Sequence, residues 1–190
     1  MPRISKPPEV RRKEILDTAM RLFTAQGYEE TSMADIAREM GVVQGLCYRY
    51  FDSKQKLFQE AMEQYVKECC AAGLPIIHDQ SKTIRERLDA MAALTLQTEE
   101  DAPYRAFYHR PGNRDLHEEL SLKMARYLLP HVTEELEAAC GRGELSLAHP
   151  ALTANYLLHA QTGLLGEGEL PMEERVAAIR RYADLILSAG

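Results

Sequence analysis

Between Val42 and Lys54 the chain interleaves the polar side chains Gln44, Tyr48, Arg49, Tyr50 and Lys54 with Val42, Cys47 and Phe51, which are spaced to face inward. A Gln amide matches the N6/N7 edge of adenine, and Tyr hydroxyls, Arg and Lys are ordinary phosphate ligands. An apolar back with such a polar front suits a nucleic-acid groove, so the chemistry is recognition. Bond-making chemistry has no comparable support. The chain lacks GxSxG, HExxH and any phosphate-cradling glycine loop, and Gly166 to Gly168 reads as a simple interhelical connection. No catalytic residue, cofactor or metal is expected.

The stretch Thr31 to Lys54 reads as two short helices around a tight turn. Ser32 with Asp35 three positions on has capping-box spacing, and Met33, Ile36, Ala37 and Met40 then share one face. Gly41 supplies the left-handed residue that stops the first helix, and a second runs from about Val43 to Phe51. In a helix-turn-helix the second helix lies in the DNA major groove. That assigns Gln44, Gly45, Leu46 and Tyr48 to the bases, with Leu46 against a thymine methyl. The phosphates go to Thr31, Ser32, Arg49, Tyr50 and Lys54. A preceding helix from about Glu9 to Gln26 presents Ile15, Ala19, Leu22 and Phe23 on one face and stops at Gly27. After the Asp52-Ser53 cap signal a long helix to about Ala72 carries Lys54 at one end and Leu57, Phe58, Ala61, Met62 and Tyr65 further along. It is the expected mechanical link to the rest of the chain.

At these residues the chain resembles the tetracycline-repressor (TetR) family of bacterial transcription regulators. The pattern stands here as Ile15, Ala19, Leu22-Phe23, Gly27, Ile36-Ala37, Gly41-Val42, Tyr48-Arg49-Tyr50-Phe51 and Ser53-Lys54 with Leu57. The resemblance is specific over Pro8 to Leu57 and fades beyond. Val43 stands where the family usually caps the recognition helix with Ser or Thr, Leu46 where Thr is common, and Cys47 where Leu is usual.

Length and composition agree with a two-part protein. The chain has 190 residues, 45% of them hydrophobic. It contains no apolar run of membrane-spanning length, and its start lacks the apolar stretch of a signal peptide, so a cytoplasmic location is expected. The net charge of −6 divides unevenly. Residues 1–60 hold ten Lys and Arg against nine Asp and Glu, a net +1, which leaves −7 for the remainder. Basic groups gather in the arm Met1 to Pro8 and near the groove-facing helices, where they displace counterions from phosphates. Cys47, Cys69, Cys70 and Cys140 show neither CxxC nor zinc-finger spacing. The adjacent Cys69 and Cys70 raise thiol oxidation, and His109, His117 and His131 raise metal ligation, but no HxxxH or Cys-His spacing supports a metal.

Beyond Gly73 the pattern is helical throughout, giving an all-α fold of about nine helices, with a helix-turn-helix domain over 1–53 and a helical ligand-binding and dimerisation domain over 54–190. Gly73-Leu74-Pro75 ends the long helix, and Ala102 to Arg110 reads as a short aromatic helix. Pro130 is expected to kink or split the helix that follows Asn113 or Asp115. The family resemblance implies that the last two helices pair with their copies in a homodimer, through Ala154, Leu158, Gln161, Leu165, Val176, Ile179, Ala183 and Ile186. A two-fold dimer predicts a palindromic operator. Tyr65, Met91, Leu94, Tyr104, Phe107, Tyr108, Met124, Tyr127 and Tyr156 are candidates for an apolar pocket with hydroxyls for orientation. The reading is a repressor released by a small molecule. The alternative is an enzyme or small-molecule carrier on the same scaffold that no longer binds DNA.

Overall fold

In the computed structural model the described residues are 6–101, 114–165 and 170–188, with side chains of 98–101 and 114–117 outside the description. Among them the chain is helical, without strands, and divides into two compact units, Met1–Tyr65 and Val66–Gly190.

The first unit holds α1 (Pro8–Gln26), α2 (Met33–Glu39), α3 (Gln44–Tyr50) and the first turns of α4 (Lys54–Ala71). Pro8 opens α1, where its missing N–H costs nothing, and Gly27 at φ 97° ends it. The Ser32–Asp35 capping box is formed: the Ser32 N–H donates to Asp35 Oδ2 at 2.9 Å, and the Asp35 N–H donates to Ser32 Oγ at 3.2 Å. Gly41 turns the chain at φ 65°. Ser53 Oγ accepts from the Lys56 amide at 3.1 Å, which caps α4. The core joins Ile15, Ala19 and Phe23 of α1 to Ile36, Cys47, Phe51 and Leu57, all essentially inaccessible. Phe23 meets Phe58 edge-on, with centroids 5.2 Å apart, and Tyr28 leans on both rings. Ser32→Ala removes an N-cap acceptor and is expected to destabilise this unit by about 1 kcal/mol in urea denaturation. An unchanged midpoint would mean that Asp35 alone secures the start of α2.

The second unit continues α4 and adds α5 (Leu74–Ile77), α6 (Ile84–Asp101), α7 (Arg114–Gly141), α8 (Pro150–Leu165) and α9 (Met172–Ser188). Helix α7 packs mainly on α8, and α6 on α9. Ile84, Leu136, Ala139, Ala154 and Leu187 form a buried cluster, with Leu88, Leu129, Val132 and Leu157 around it. Thr83 and Glu86 form a second capping box at the start of α6, and Glu144 accepts from the Ile84 amide at 2.5 Å. Ion pairs Arg85–Asp184 at 2.9 Å and Arg180–Asp89 at 2.5 Å tie α9 to α6.

The division between units falls within α4, between Tyr65 and Val66, rather than at its start, because Leu57, Ala61 and Met62 complete the first unit's core. The stretch after Gly73 contains the short helix α5 where the sequence suggests only a break. Helix α7 runs unsplit through Pro130. Pro130 and Arg126, whose carbonyl loses its partner, are both exposed, so water can satisfy that oxygen. The expected aromatic helix at 102–110 lies outside the described residues. No helix among the described residues is long and apolar enough to cross a membrane.

Candidate nucleic-acid interface and effector cavity

Helix α3 has two faces of opposite character. Cys47 and the following Phe51 are buried, while Gln44, Gly45, Tyr48 and Arg49 are exposed and Leu46 and Tyr50 half-buried. The helix starts at Val43 without a side-chain cap, and Val43 itself is 68% exposed. The Leu46 amide donates to the Val43 carbonyl at 2.9 Å, which leaves the Gln44 and Gly45 amides to water or to an anion. The Arg49 guanidinium stands 5.9 Å from the Tyr50 ring centroid. On the inner side, Arg12 stacks over Phe51 at 5.2 Å and pairs with Glu60.

The phosphate assignments change in one place. Thr31 is 1% exposed, its hydroxyl donates to the Gly27 carbonyl at 2.7 Å, and it accepts from Gln26 at 3.2 Å. Thr31 thus secures the α1–α2 connection and is withdrawn from the phosphates. Ser32 stays exposed at the start of α2 with its hydroxyl in the capping box. Lys54 Nζ donates to the Tyr28 carbonyl at 3.0 Å and lies 4.1 Å from the Tyr28 ring centroid. An ammonium has three donors, so this anchoring leaves capacity for a phosphate.

The second unit contains a cavity of about 500 Å³ between α6, α7, α8 and α9, within the size range of small-molecule sites. Ile84, Leu88, Met91, Leu136, Leu157 and Ile179 are among its lining side chains, together with Tyr156 and Tyr182, which are 62% and 54% exposed.

Two opposite charges are embedded in this wall. Arg87 and Glu135 are 3% and 4% exposed. Arg87 Nη1 donates to Glu135 Oε2 at 2.7 Å and to the Ile77 carbonyl at 2.8 Å, and Nε donates to the Lys82 carbonyl at 3.0 Å. His78 Nδ1 lies 2.9 Å from Glu135 Oε1, and its Nε2 lies 3.0 Å from His131 Nδ1. A carboxylate only accepts, so His78 Nδ1 carries a proton and donates to Glu135, and of the two facing nitrogens, His78 Nε2 and His131 Nδ1, one donates to the other. Burial pushes the Glu135 carboxyl up, but hydrogen bonds from His78 and Arg87 and the guanidinium charge outweigh it and hold the group below its ordinary value of 4.5. Glu135 is therefore ionised at neutral pH.

The residues expected at the pocket scatter. Met91 and Tyr156 line the cavity; Leu94, Met124 and Tyr127 are half-buried outside its lining; Tyr65 is buried in the first unit; Tyr104, Phe107 and Tyr108 lie outside the described residues. The set expected at the dimer interface divides in two. Ala154, Leu158, Val176 and Ala183 are buried in the protomer's own core, and Gln161, Leu165, Ile179 and Ile186 are half-buried on the cavity wall. The exposed apolar side chains of α8 and α9 are Leu152, Tyr156, Leu164, Tyr182 and Leu185. Periodicity finds a stripe, but these helices carry two, and only packing tells the inner from the outer.

Sequence reading missed Arg87, Glu135 and His78. The signal was present: Ile84, Arg87, Leu88, Met91 and Val132, Glu135, Leu136, Ala139 are both i, i+3, i+4, i+7 stripes with one charge of opposite sign in each. His109 and His117 lie outside the described side chains, and among the described residues no group of three or more His, Cys, Asp or Glu is placed to hold a metal. Burial, then the neighbouring Cys69, pushes the Cys70 thiol up to about 12, so it is not a thiolate at neutral pH, which argues against redox sensing there.

Residues 15–61 match the family model described as "Bacterial regulatory proteins, tetR family". The chain is 27% identical over 197 residues to the HTH-type transcriptional regulator BetI of Brucella abortus, covering 99% of this chain and 96% of the relative. Its fold is similar to that of a TetR-family regulator structure from Mesorhizobium loti, with a TM-score of 0.68, 19% identity and coverage of 97% and 96%. It is also similar to a regulator from Saccharomonospora viridis in complex with choline, with a TM-score of 0.63, 21% identity and coverage of 93% and 96%. A matched reading head, a regulator relative aligned over nearly the whole chain and a shared all-helical fold agree: residues 15–61 carry the helix-turn-helix of the bacterial tetR-family regulatory proteins, and the chain as a whole is similar to HTH-type transcriptional regulators.

Proposed function

We propose that the protein is a repressor that binds a palindromic operator as a homodimer and is released by a small molecule entering the cavity of the second unit. The observation that carries the DNA reading is α3 itself. Its exposed Gln44, Tyr48 and Arg49 stand over a buried Cys47 and Phe51, so the polar side chains are presented on a rigid support. An enzyme or carrier that had given up DNA binding has no use for such a front. The exposed Leu152, Tyr156, Leu164, Tyr182 and Leu185 support pairing of α8 and α9 with a second copy, since two-fold symmetry also doubles the DNA site. The cavity supplies room for an effector. Release requires that the effector bind the DNA-incompetent state more tightly, and DNA then weakens effector binding by the same factor.

Selection of sheared genomic DNA by the purified protein near physiological salt, followed by sequencing, tests this reading. A recovered palindrome supports it; uniform recovery or none overturns it for the free protein. Gln44→Ala is expected to relax the preference at one base pair, removing about 1–3 kcal/mol of discrimination there. Arg49→Ala is expected to weaken binding to all sequences and to reduce the salt slope by about one counterion. Site preference unchanged by Gln44→Ala would assign base reading to other side chains.

A further inference from the structure

Gly73, between α4 and α5, is buried, and its backbone at φ −82° and ψ −30° is one that any residue adopts. Its conformation does not call for glycine; the space around it does. A Cβ here would stand 3.1 Å from Met91 Cε and 3.4 Å from Met91 Sδ, so the tip of the Met91 side chain already fills the place a side chain would take. Met91 belongs to α6 and also lines the cavity. One unbranched thioether, with three rotatable bonds, thus borders both the cavity and the end of α4. The Gly73 amide donates to the Cys70 carbonyl at 3.0 Å, which ties it to the last turn of α4, and α4 is unbroken back to Lys54. The next attachment along the chain is stiff by contrast. There Arg87 Nη1 donates to the Ile77 carbonyl at 2.8 Å from within a buried ion pair. Displacement is therefore easiest at the thioether.

We infer that Met91 is the side chain through which an occupant of the cavity acts on α4. A molecule lying against Met91 drives its tip onto Gly73 and shifts the last turn of the helix, and Gly73 lacks a side chain so that the tip can seat there. The inference rests on the effector reading of the cavity and names the residue that transmits it. Coupling is reciprocal, so operator binding must in turn alter the surroundings of Met91.

The test uses the full-length protein with isotope-labelled methionine methyl groups, the operator recovered by the genomic selection, and the variants Met91→Leu, Gly73→Ala, and Gly73→Ala combined with Met91→Ala. The signal lost in Met91→Leu is that of Met91. Saturating operator is expected to move this signal in the nuclear magnetic resonance spectrum and to leave that of Met172, at the start of α9, in place. Gly73→Ala is expected to weaken operator binding by about fivefold or more, the lower end of ordinary coupling between sites, and Met91→Ala in the same chain to restore it by emptying the notch. A merely structural contact would lower the melting temperature of Gly73→Ala without either effect. An unmoved Met91 signal under saturating operator, or an unchanged affinity in folded Gly73→Ala, overturns this inference and leaves the DNA reading standing. Weakening that Met91→Ala does not restore also overturns it. Should Gly73→Ala not fold, the Met91 signal of the unaltered protein decides alone. If the selection recovers no operator, the DNA reading fails first and this inference falls with it.

Discussion

Replacing Glu135 by alanine is expected to destabilise the second unit by about 3–5 kcal/mol, because it strips the carboxylate from a buried guanidinium and leaves that charge uncompensated. Both side chains are almost wholly inaccessible, and the contact is a 2.7 Å charge-assisted hydrogen bond. The converse result identifies the mechanism. Arg87→Met with Glu135→Leu, which removes both charges and refills the volume, is expected to recover most of the loss, since two buried charges need each other more than the fold needs either. Urea unfolding followed by amide exchange in α6 and α7 measures this, because the two units need not unfold together. The pH dependence has a definite sign. The folded Glu135 carboxyl titrates below its ordinary 4.5, so its contribution is fully present above that value and is lost as pH falls through the folded one. In Glu135→Ala that part of the acid slope should vanish. A single variant that costs no more than a surface substitution would show that the pair is solvated.

Phe23→Ala is expected to destabilise the first unit by about 3–5 kcal/mol and with it to abolish operator binding. Phe23 is inaccessible and meets Phe58 and Tyr28 at centroid distances of 5.2 and 5.5 Å. It is not itself a candidate DNA contact, yet it holds α1 against α4 and the α1–α2 connection. A cavity there removes both packing and the edge-on aromatic contact. The expected signature is a lower melting transition together with weaker DNA binding at every sequence, in contrast to the selective effect of Gln44→Ala. Full operator affinity in Phe23→Ala at a temperature where the unaltered protein is folded would mean that the core repacks around the deletion.

The helix-turn-helix was legible because its determinants are local. A capping box at Ser32 and Asp35, a glycine at φ 65° and the inward Cys47 and Phe51 act over a few residues, so spacing alone carries them. The same reasoning placed Thr31 at the phosphates because a hydroxyl beside a helix start looks available, whereas the fold turns it onto the Gly27 carbonyl. It also put Ala154, Leu158, Val176 and Ala183, which the protomer buries, in the set expected at a dimer interface.

Local spacing thus located the helix-turn-helix and most of the helices, because backbone hydrogen bonds, caps and amphipathic faces are decided between residues three or four apart. Packing settled which stripe of α8 and α9 faces inward and which hydroxyls remain free. It also made Arg87, Glu135, His78 and His131 one network, with partners 48, 57 and 53 positions apart in the chain. Such pairings depend on how α5, α6 and α7 dock, and a charge on an apolar stripe declares only that a partner is needed, not where it comes from.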